Sequence, residues 1–220
     1  MYASRVARLR GPDQKFFDLW SRFYDAPLVQ RITYRPPQDA VLAELQRVDS
    51  RAVLDMGCGT GLLTARIRDV QRPARIVGCD FSRGMLGEAA RRDPDLAWVR
   101  GNALQLPFAD GRFDAVVSTE AFHWFPDPER ALGEFFRVLV PGGRLMIAFV
   151  NPPVEWLSAA ARLASRLAGE PARWPTRARL RAQLRAAGFR IELQRAVFRL
   201  PAPLLLPCVL SVAIRPVRSG

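Results

Sequence analysis

The stretch Val53 to Gly61, VLDMGCGTG, carries an apolar run into Asp55 and then passes Gly57, Gly59 and Gly61 in a GxGxG spacing. It reads as a strand, a tight glycine turn and the start of a helix, with glycines that let the backbone approach a ligand closely. A second acid, Asp80, ends the next apolar run, IVGCD. A carboxylate in that position can accept both hydroxyls of a ribose. Two acidic strand ends with a glycine turn between them make a nucleoside pocket at the carboxyl ends of strands one and two. Charge narrows the choice of nucleoside. A dinucleotide would lay its pyrophosphate on the glycine turn, where Asp55 opposes it, and the GxGxxG spacing of dinucleotide sites is absent.

S-adenosylmethionine satisfies this pocket. It has no phosphate, its sulfonium and α-ammonium are attracted by Asp55, and its carboxylate can sit toward the helix N-terminus. VLDMGCGTG, IVGCDFS, GNALQLPFADGRFDAVVS and LVPGGRL also resemble, in order and spacing, the motifs of class I S-adenosylmethionine-dependent methyltransferases. They look most like the type 11 branch that includes the ubiquinone/menaquinone C-methyltransferases, strongly over residues 50–150 and loosely over the final strands. The resemblance implies that Gly57, Gly59 and Gly61 border the methionine part of the cofactor. It implies further that Asp80 holds the ribose, Phe81 and Met85 flank the adenine, Asn102 and Ala103 meet the adenine edge, and Ser118 to Glu120 line the floor below the sulfonium. Asn102 departs from the Asp that the family commonly has, although an amide still accepts one hydrogen bond and donates another.

The implied activity is methyl transfer to a small or lipid-like acceptor, apolar or aromatic in character. A nucleic-acid methyltransferase and a non-catalytic S-adenosylmethionine-binding protein are the alternatives, and a nucleotide-dependent oxidoreductase is the weaker reading. A sulfonium is already a good leaving group, so the protein has mainly to align and desolvate the reactants. Orientation alone can supply roughly 7–11 kcal/mol, and no obligatory acid or base is required. His123 in EAFHWF, the single histidine of the chain, is the candidate should a base take part. Packing is the competing role for it, and Tyr24, Tyr34 and Glu120 are weaker candidates. Cys58 and Cys79 read as small packing residues, and Asn151-Pro152-Pro153 as a loop.

Five apolar runs must position these residues: Ala52 to Met56, Arg75 to Cys79, Ala97 to Arg100, Phe113 to Ser118 and Gly143 to Val150. Their Val, Ile and Leu content suits parallel strands buried on both faces. Helices are expected from Gly61, from Ser82 as N-cap, and between Asp127 and Leu139 before a Pro141-Gly142-Gly143 turn. An amphipathic stretch, Leu157 to Leu167, follows, and then an Arg-rich helix capped by Thr176 and stopped at Gly188. Phe189 to Leu193 and Val209 to Ile214 supply two final strands, a hairpin at the sheet edge. The fold class is α/β, a Rossmann-like class I methyltransferase fold. It has a mostly parallel seven-stranded sheet, an antiparallel edge strand and helices on both faces. Residues 1–50 read as a helical N-terminal extension covering the cleft with Phe16, Phe17, Trp20, Phe23 and Tyr24. Residues 51–220 read as a single methyltransferase domain with an insertion at about 151–175.

The 220 residues suit one substantial core. Cys58, Cys79 and Cys208 form no CxxC pair, so neither a disulfide framework nor a metal site is supported and a cytoplasmic setting is expected. The N-terminus lacks an apolar signal region, and Leu200 to Ile214 is broken by Pro201, Pro203 and Pro207. The net charge of +12 rests on arginine, Lys15 being the only lysine. From Trp156 onward, twelve arginines face only Glu170 and Glu192. That surplus opens the option of peripheral contact with an anionic membrane through the Arg173 to Arg199 region. No nucleic acid is expected as a partner, because no recognisable binding module is appended. Sequence leaves the acceptor, the atom methylated and the oligomeric state open.

Overall fold

A computed structural model describes residues 34–167, 172–197 and 207–217. The apolar runs form strands β1 (Ala52–Met56), β2 (Arg75–Asp80), β3 (Ala97–Arg100), β4 (Phe113–Thr119) and β5 (Leu139–Val150), followed by β6 (Arg190–Val197) and β7 (Cys208–Ile214). They pair in the order β3-β2-β1-β4-β5-β7-β6. The order reverses between β1 and β4, which places Asp55 at the crevice where α/β sheets bind ligands. Along β1, Asp55 pairs with Gly78 of β2 on one side and Val117 of β4 on the other. The final hairpin closes the sheet with β7 running antiparallel between β5 and β6.

Six α-helices accompany the strands among the described residues: α1 (Arg35–Leu45), α2 (Leu62–Gln71), α3 (Arg83–Arg92), α4 (Pro128–Val138), α5 (Glu155–Leu167) and α6 (Arg177–Ala186). Three start on side-chain caps. Ser82 accepts from the Met85 amide, Asp127 from that of Arg130 and Thr176 from that of Arg179, each satisfying an N–H that the helix itself cannot. Helix α2 instead starts at Gly61 with no side-chain cap, so its first amides remain available to a ligand.

Two apolar clusters sandwich the sheet. Leu132, Phe135 and Val138 of α4 and Leu180 and Leu184 of α6 pack on one face with Leu54, Val116 and Ile147. Val41 and Leu45 of α1 and Leu63 and Ile67 of α2 pack on the other with Val53, Ala115 and Met146. Residues 35–45 therefore contribute to the core. The apolar face of α1 packs on the sheet and on Leu63 and Ile67 of α2. The aromatics expected to cover the cleft, Phe16 to Tyr24, lie outside the described residues.

Pro141-Gly142-Gly143 does not end the helix in a free turn; it is absorbed into β5, which starts directly at Leu139. The β4–β5 register shifts between Phe113 and Ala115; Gly142 adopts φ 84 and its amide donates to the Arg215 carbonyl, while the Arg215 amide donates to the Gly143 carbonyl. Helix α5 buries none of its residues. Hydrogen bonds hold this region instead, from Ser158 Oγ to the Trp174 carbonyl (2.6 Å) and from Asn151 Nδ2 to that of Pro175 (2.7 Å). No helix among the described residues is long and apolar enough to cross a membrane.

Candidate active site

The glycine turn is clamped to the end of β2. The Gly57 and Cys58 amides both donate to the Cys79 carbonyl, at 2.8 and 3.2 Å. Gly57 and Gly61 take φ 75 and 80, the left-handed region that L side chains avoid. Space forbids a side chain as well: a Cβ on Gly57 would stand 2.3 Å from the Ala121 Cβ, and one on Gly61 would stand 2.3 Å from the Trp98 ring. The turn is thus drawn against the loop that follows β4 and against β3.

Asp55 is buried, and its carboxylate accepts from Thr64 Oγ1 at 2.7 Å. Burial pushes its pKa from 3.8 up to about 7, with Asp80 adding to the rise and Thr64 working against it. A buried acid poised near neutrality is well placed to meet a cation. Asp80 accepts from the Gly59 amide on one oxygen and from the Ser82 amide on the other, both at 2.9 Å. One carboxylate so joins the glycine turn to the cap of α3. With about four acceptor positions, a carboxylate can also take ribose hydroxyls. Burial raises both neighbouring thiols, Cys79 to about 12 and Cys58 upward as well. They are neutral packing groups.

Phe81 follows, about half exposed, with the Arg100 guanidinium 5.6 Å over its ring. Met85 is buried under the cap of α3. Asn102 Oδ1 accepts from the Leu104 amide at 2.9 Å. With its oxygen engaged locally, the amide keeps two N–H donors, where an Asp would have a second acceptor oxygen. The loop that carries Asn102 and buried Ala103 is pinned to α4. Arg130 donates to the Leu104 carbonyl (2.7 Å), Glu134 accepts from the Leu106 amide (2.6 Å), and Arg137 donates to the Phe108 carbonyl (2.7 Å).

At the end of β4, Ser118 Oγ is fully buried and has no hydrogen-bond partner among the described residues. Glu120 holds φ 52, a strained conformation for a residue with a side chain, and its amide donates to the Ala148 carbonyl at 2.8 Å. His123 lies just beyond, on a short 3-10 helix (Phe122–Trp124). It is buried, and its ring stacks on Trp174 (5.3 Å, 20°) and Phe149 (6.0 Å, 23°) beside Trp124. These contacts are those of a packed aromatic cluster.

Asp55, the three glycines and Asp80 thus share one hydrogen-bonded unit, which touches the Ser118 to Ala121 floor through Gly57. Five contributing residues were not read from sequence. Thr64, one turn into α2, had a positional signal. Trp98 and the Arg130, Glu134 and Arg137 pins act across long sequence separations and had none.

S-adenosylmethionine passes the test that these residues set. The cradle excludes a Cβ at Gly57 and Gly61, the uncapped α2 terminus suits a carboxylate, Asp55 suits the cationic end, and the Ser118 hydroxyl has an unused hydrogen-bonding capacity. Among the described residues, no cluster of His, Cys, Asp or Glu could hold a metal ion.

Strand order and site together define a Rossmann-like fold of the class I methyltransferases. The chain solved with the Trm112 methyltransferase activator of Haloferax volcanii matches it with a TM-score of 0.77 and 25% identity, over 91% of this chain and 98% of that one. Residues 54–147 match the type 11 family model described as a methyltransferase domain. A demethylmenaquinone methyltransferase of Beutenbergia cavernae is 44% identical over 115 residues, which are 52% of this chain and 47% of that protein. One of Thermus thermophilus is 42% identical over 118 residues, 52% of this chain and 53% of that protein. The chain spans about half the length of these curated relatives.

Proposed function

We propose that the protein transfers a methyl group from S-adenosylmethionine to a small or lipid-like aromatic acceptor of the quinol type. One observation carries this reading: the Gly57–Ala121 contact sets the glycine turn directly against the residues that lead into the Phe122, His123, Trp124, Phe149 and Trp174 cluster. A wall of aromatic rings beside a cofactor cradle excludes water and favours a flat apolar acceptor. The names of the demethylmenaquinone methyltransferase relatives support the same acceptor class.

The bound cofactor supplies an electrophilic methyl group on a sulfonium. Asp55 steadies the cationic end, Asp80 holds the ribose, and Asn102 and Ala103 meet the adenine with Phe81 and Met85 alongside. Gly57, Gly59 and Gly61 leave room for the methionine part, and Ser118 forms the floor. His123 orders the aromatic wall, and a proton-accepting role for it is the secondary reading. The expected location is cytoplasmic. The exposed apolar side chains Trp156, Leu163 and Leu167 of α5 favour peripheral contact with an anionic membrane, from which a lipid-like acceptor could be drawn.

Incubation with methyl-labelled S-adenosylmethionine and a panel of short-chain demethylated quinols, simple phenols, tRNA and duplex DNA tests the reading. Label is expected in a quinol, with product one methylene heavier by mass spectrometry. Label in nucleic acid alone would replace this assignment with the nucleic-acid alternative. Cofactor binding without turnover on any acceptor would favour the non-catalytic one.

A further inference from the structure

We propose that the cleft between α5 and α6 is a binding site for a phosphate monoester or diphosphate group, separate from the cofactor cradle and independent of the acceptor's identity. The cleft has a volume of about 220 Å³, below the usual range for a whole drug-sized ligand and suited to a head group whose remainder lies outside. Arg162 and Arg166 of α5, Arg173 of the connecting segment and Arg179 of α6 all line it. None of these guanidinium groups forms an ion pair with a carboxylate among the described residues. The one acid in the lining, Glu129, accepts a hydrogen bond from Gln183 Nε2 at 2.7 Å.

The arginines are arranged, not scattered. Ser158, Arg162 and Arg166 repeat every four residues and so share one face of α5, and Arg179 and Gln183 do the same on α6. Like charges at that spacing repel, and two cationic helix faces turned toward one cleft repel further. A multivalent anion between them converts the repulsion into binding. Guanidinium forks match phosphate oxygens bidentately, and one carboxylate would satisfy at most two of the four. Phe122 and Trp174 also line the cleft, and Trp174 stacks on His123. An anion held here would therefore adjoin the aromatic wall of the candidate active site. The phosphate could belong to a soluble phosphoester or to a lipid head group, since the recognising chemistry is the same.

Titration calorimetry of the full chain with pyrophosphate and with inorganic phosphate, at constant ionic strength, tests the site. It should be run beside an Arg166→Gln/Arg179→Gln double variant and an Arg75→Gln control at the opposite end of the sheet. Saturable pyrophosphate binding is expected in the wild type and the control. The double variant should bind about tenfold more weakly or worse, with S-adenosylmethionine affinity equal in all three. Flotation with phosphatidylcholine vesicles, with and without phosphatidic acid, separates the sources. Flotation on acidic vesicles that pyrophosphate competes away, and that the double variant loses, supports a lipid head group. Pyrophosphate binding without flotation supports a soluble phosphoester. No saturable binding and no flotation, or binding undiminished in the double variant, overturns the proposal.

Discussion

Replacing Asp55 by Asn should abolish a proton release that accompanies cofactor binding below neutral pH. Burial lifts the Asp55 pKa from 3.8 to about 7, so the folded protein without cofactor holds a proton there that the unfolded chain gives up. Stability is then full below about pH 4 and declines as pH rises toward 7, by at most about 4 kcal/mol for a shift of about three units. A cationic ligand reverses the balance, because it favours the ionised carboxylate. Binding at about pH 6 should accordingly release close to one proton, and affinity should rise by up to about tenfold per pH unit between about pH 5 and 7. The cofactor's own α-amine titrates near 8 and stays outside that window. Calorimetry in buffers of different ionisation heat measures the proton count directly. Asp55→Asn removes this one carboxyl and isolates the Asp55 contribution. The variant should bind more weakly with little pH dependence, and the wild-type loss of thermal stability between about pH 5 and 7 should shrink in it. A wild-type affinity that stays flat across this range, or an equal slope in the Asn variant, would refute the reasoning.

Asp80→Ala should weaken S-adenosylmethionine binding by about 1–3 kcal/mol through lost hydrogen bonds, and an unchanged calorimetric affinity would move the ribose elsewhere. Gly61→Ala must fit a Cβ 2.3 Å from the Trp98 ring at φ 80; a loss of about 1–3 kcal/mol is expected in urea unfolding, and wild-type stability would show that the turn relaxes freely. His123→Ala should cost about 2–4 kcal/mol of stability by opening the aromatic stack while leaving cofactor affinity intact. His123→Phe should keep the methyl-transfer rate if the ring only packs, whereas a drop of about a hundredfold or more would make His123 a general base.

The parts of this fold that were legible in sequence are those fixed by neighbouring residues. The bounds of β1 and β3 follow directly from apolar runs, and Ser82 and Thr176 announce their helices because a cap needs only its own first turn. The glycine turn is legible for the same reason, since its left-handed φ values restrict residue type one position at a time. Less was readable where distant segments decide. Pro141-Gly142-Gly143 carries every sign of a turn, yet pairing with Arg215 recruits it into β5. Helix α1 has an apolar face that sequence shows but cannot assign, and the sheet supplies its partner. Trp98 forces Gly61 to be glycine across 37 residues, a constraint with no local trace. The same division runs through the site. Asp55 and Asp80 were legible as acids at strand ends, but what separates their chemistry is environment. Asp55 sits in the dry interior with a single hydroxyl donor, while Asp80 sits half-buried with two backbone amides. Burial raises the pKa of Asp55, so that carboxylate can answer to the charge of a ligand, while the two amides on Asp80 hold it in place as a positioned acceptor.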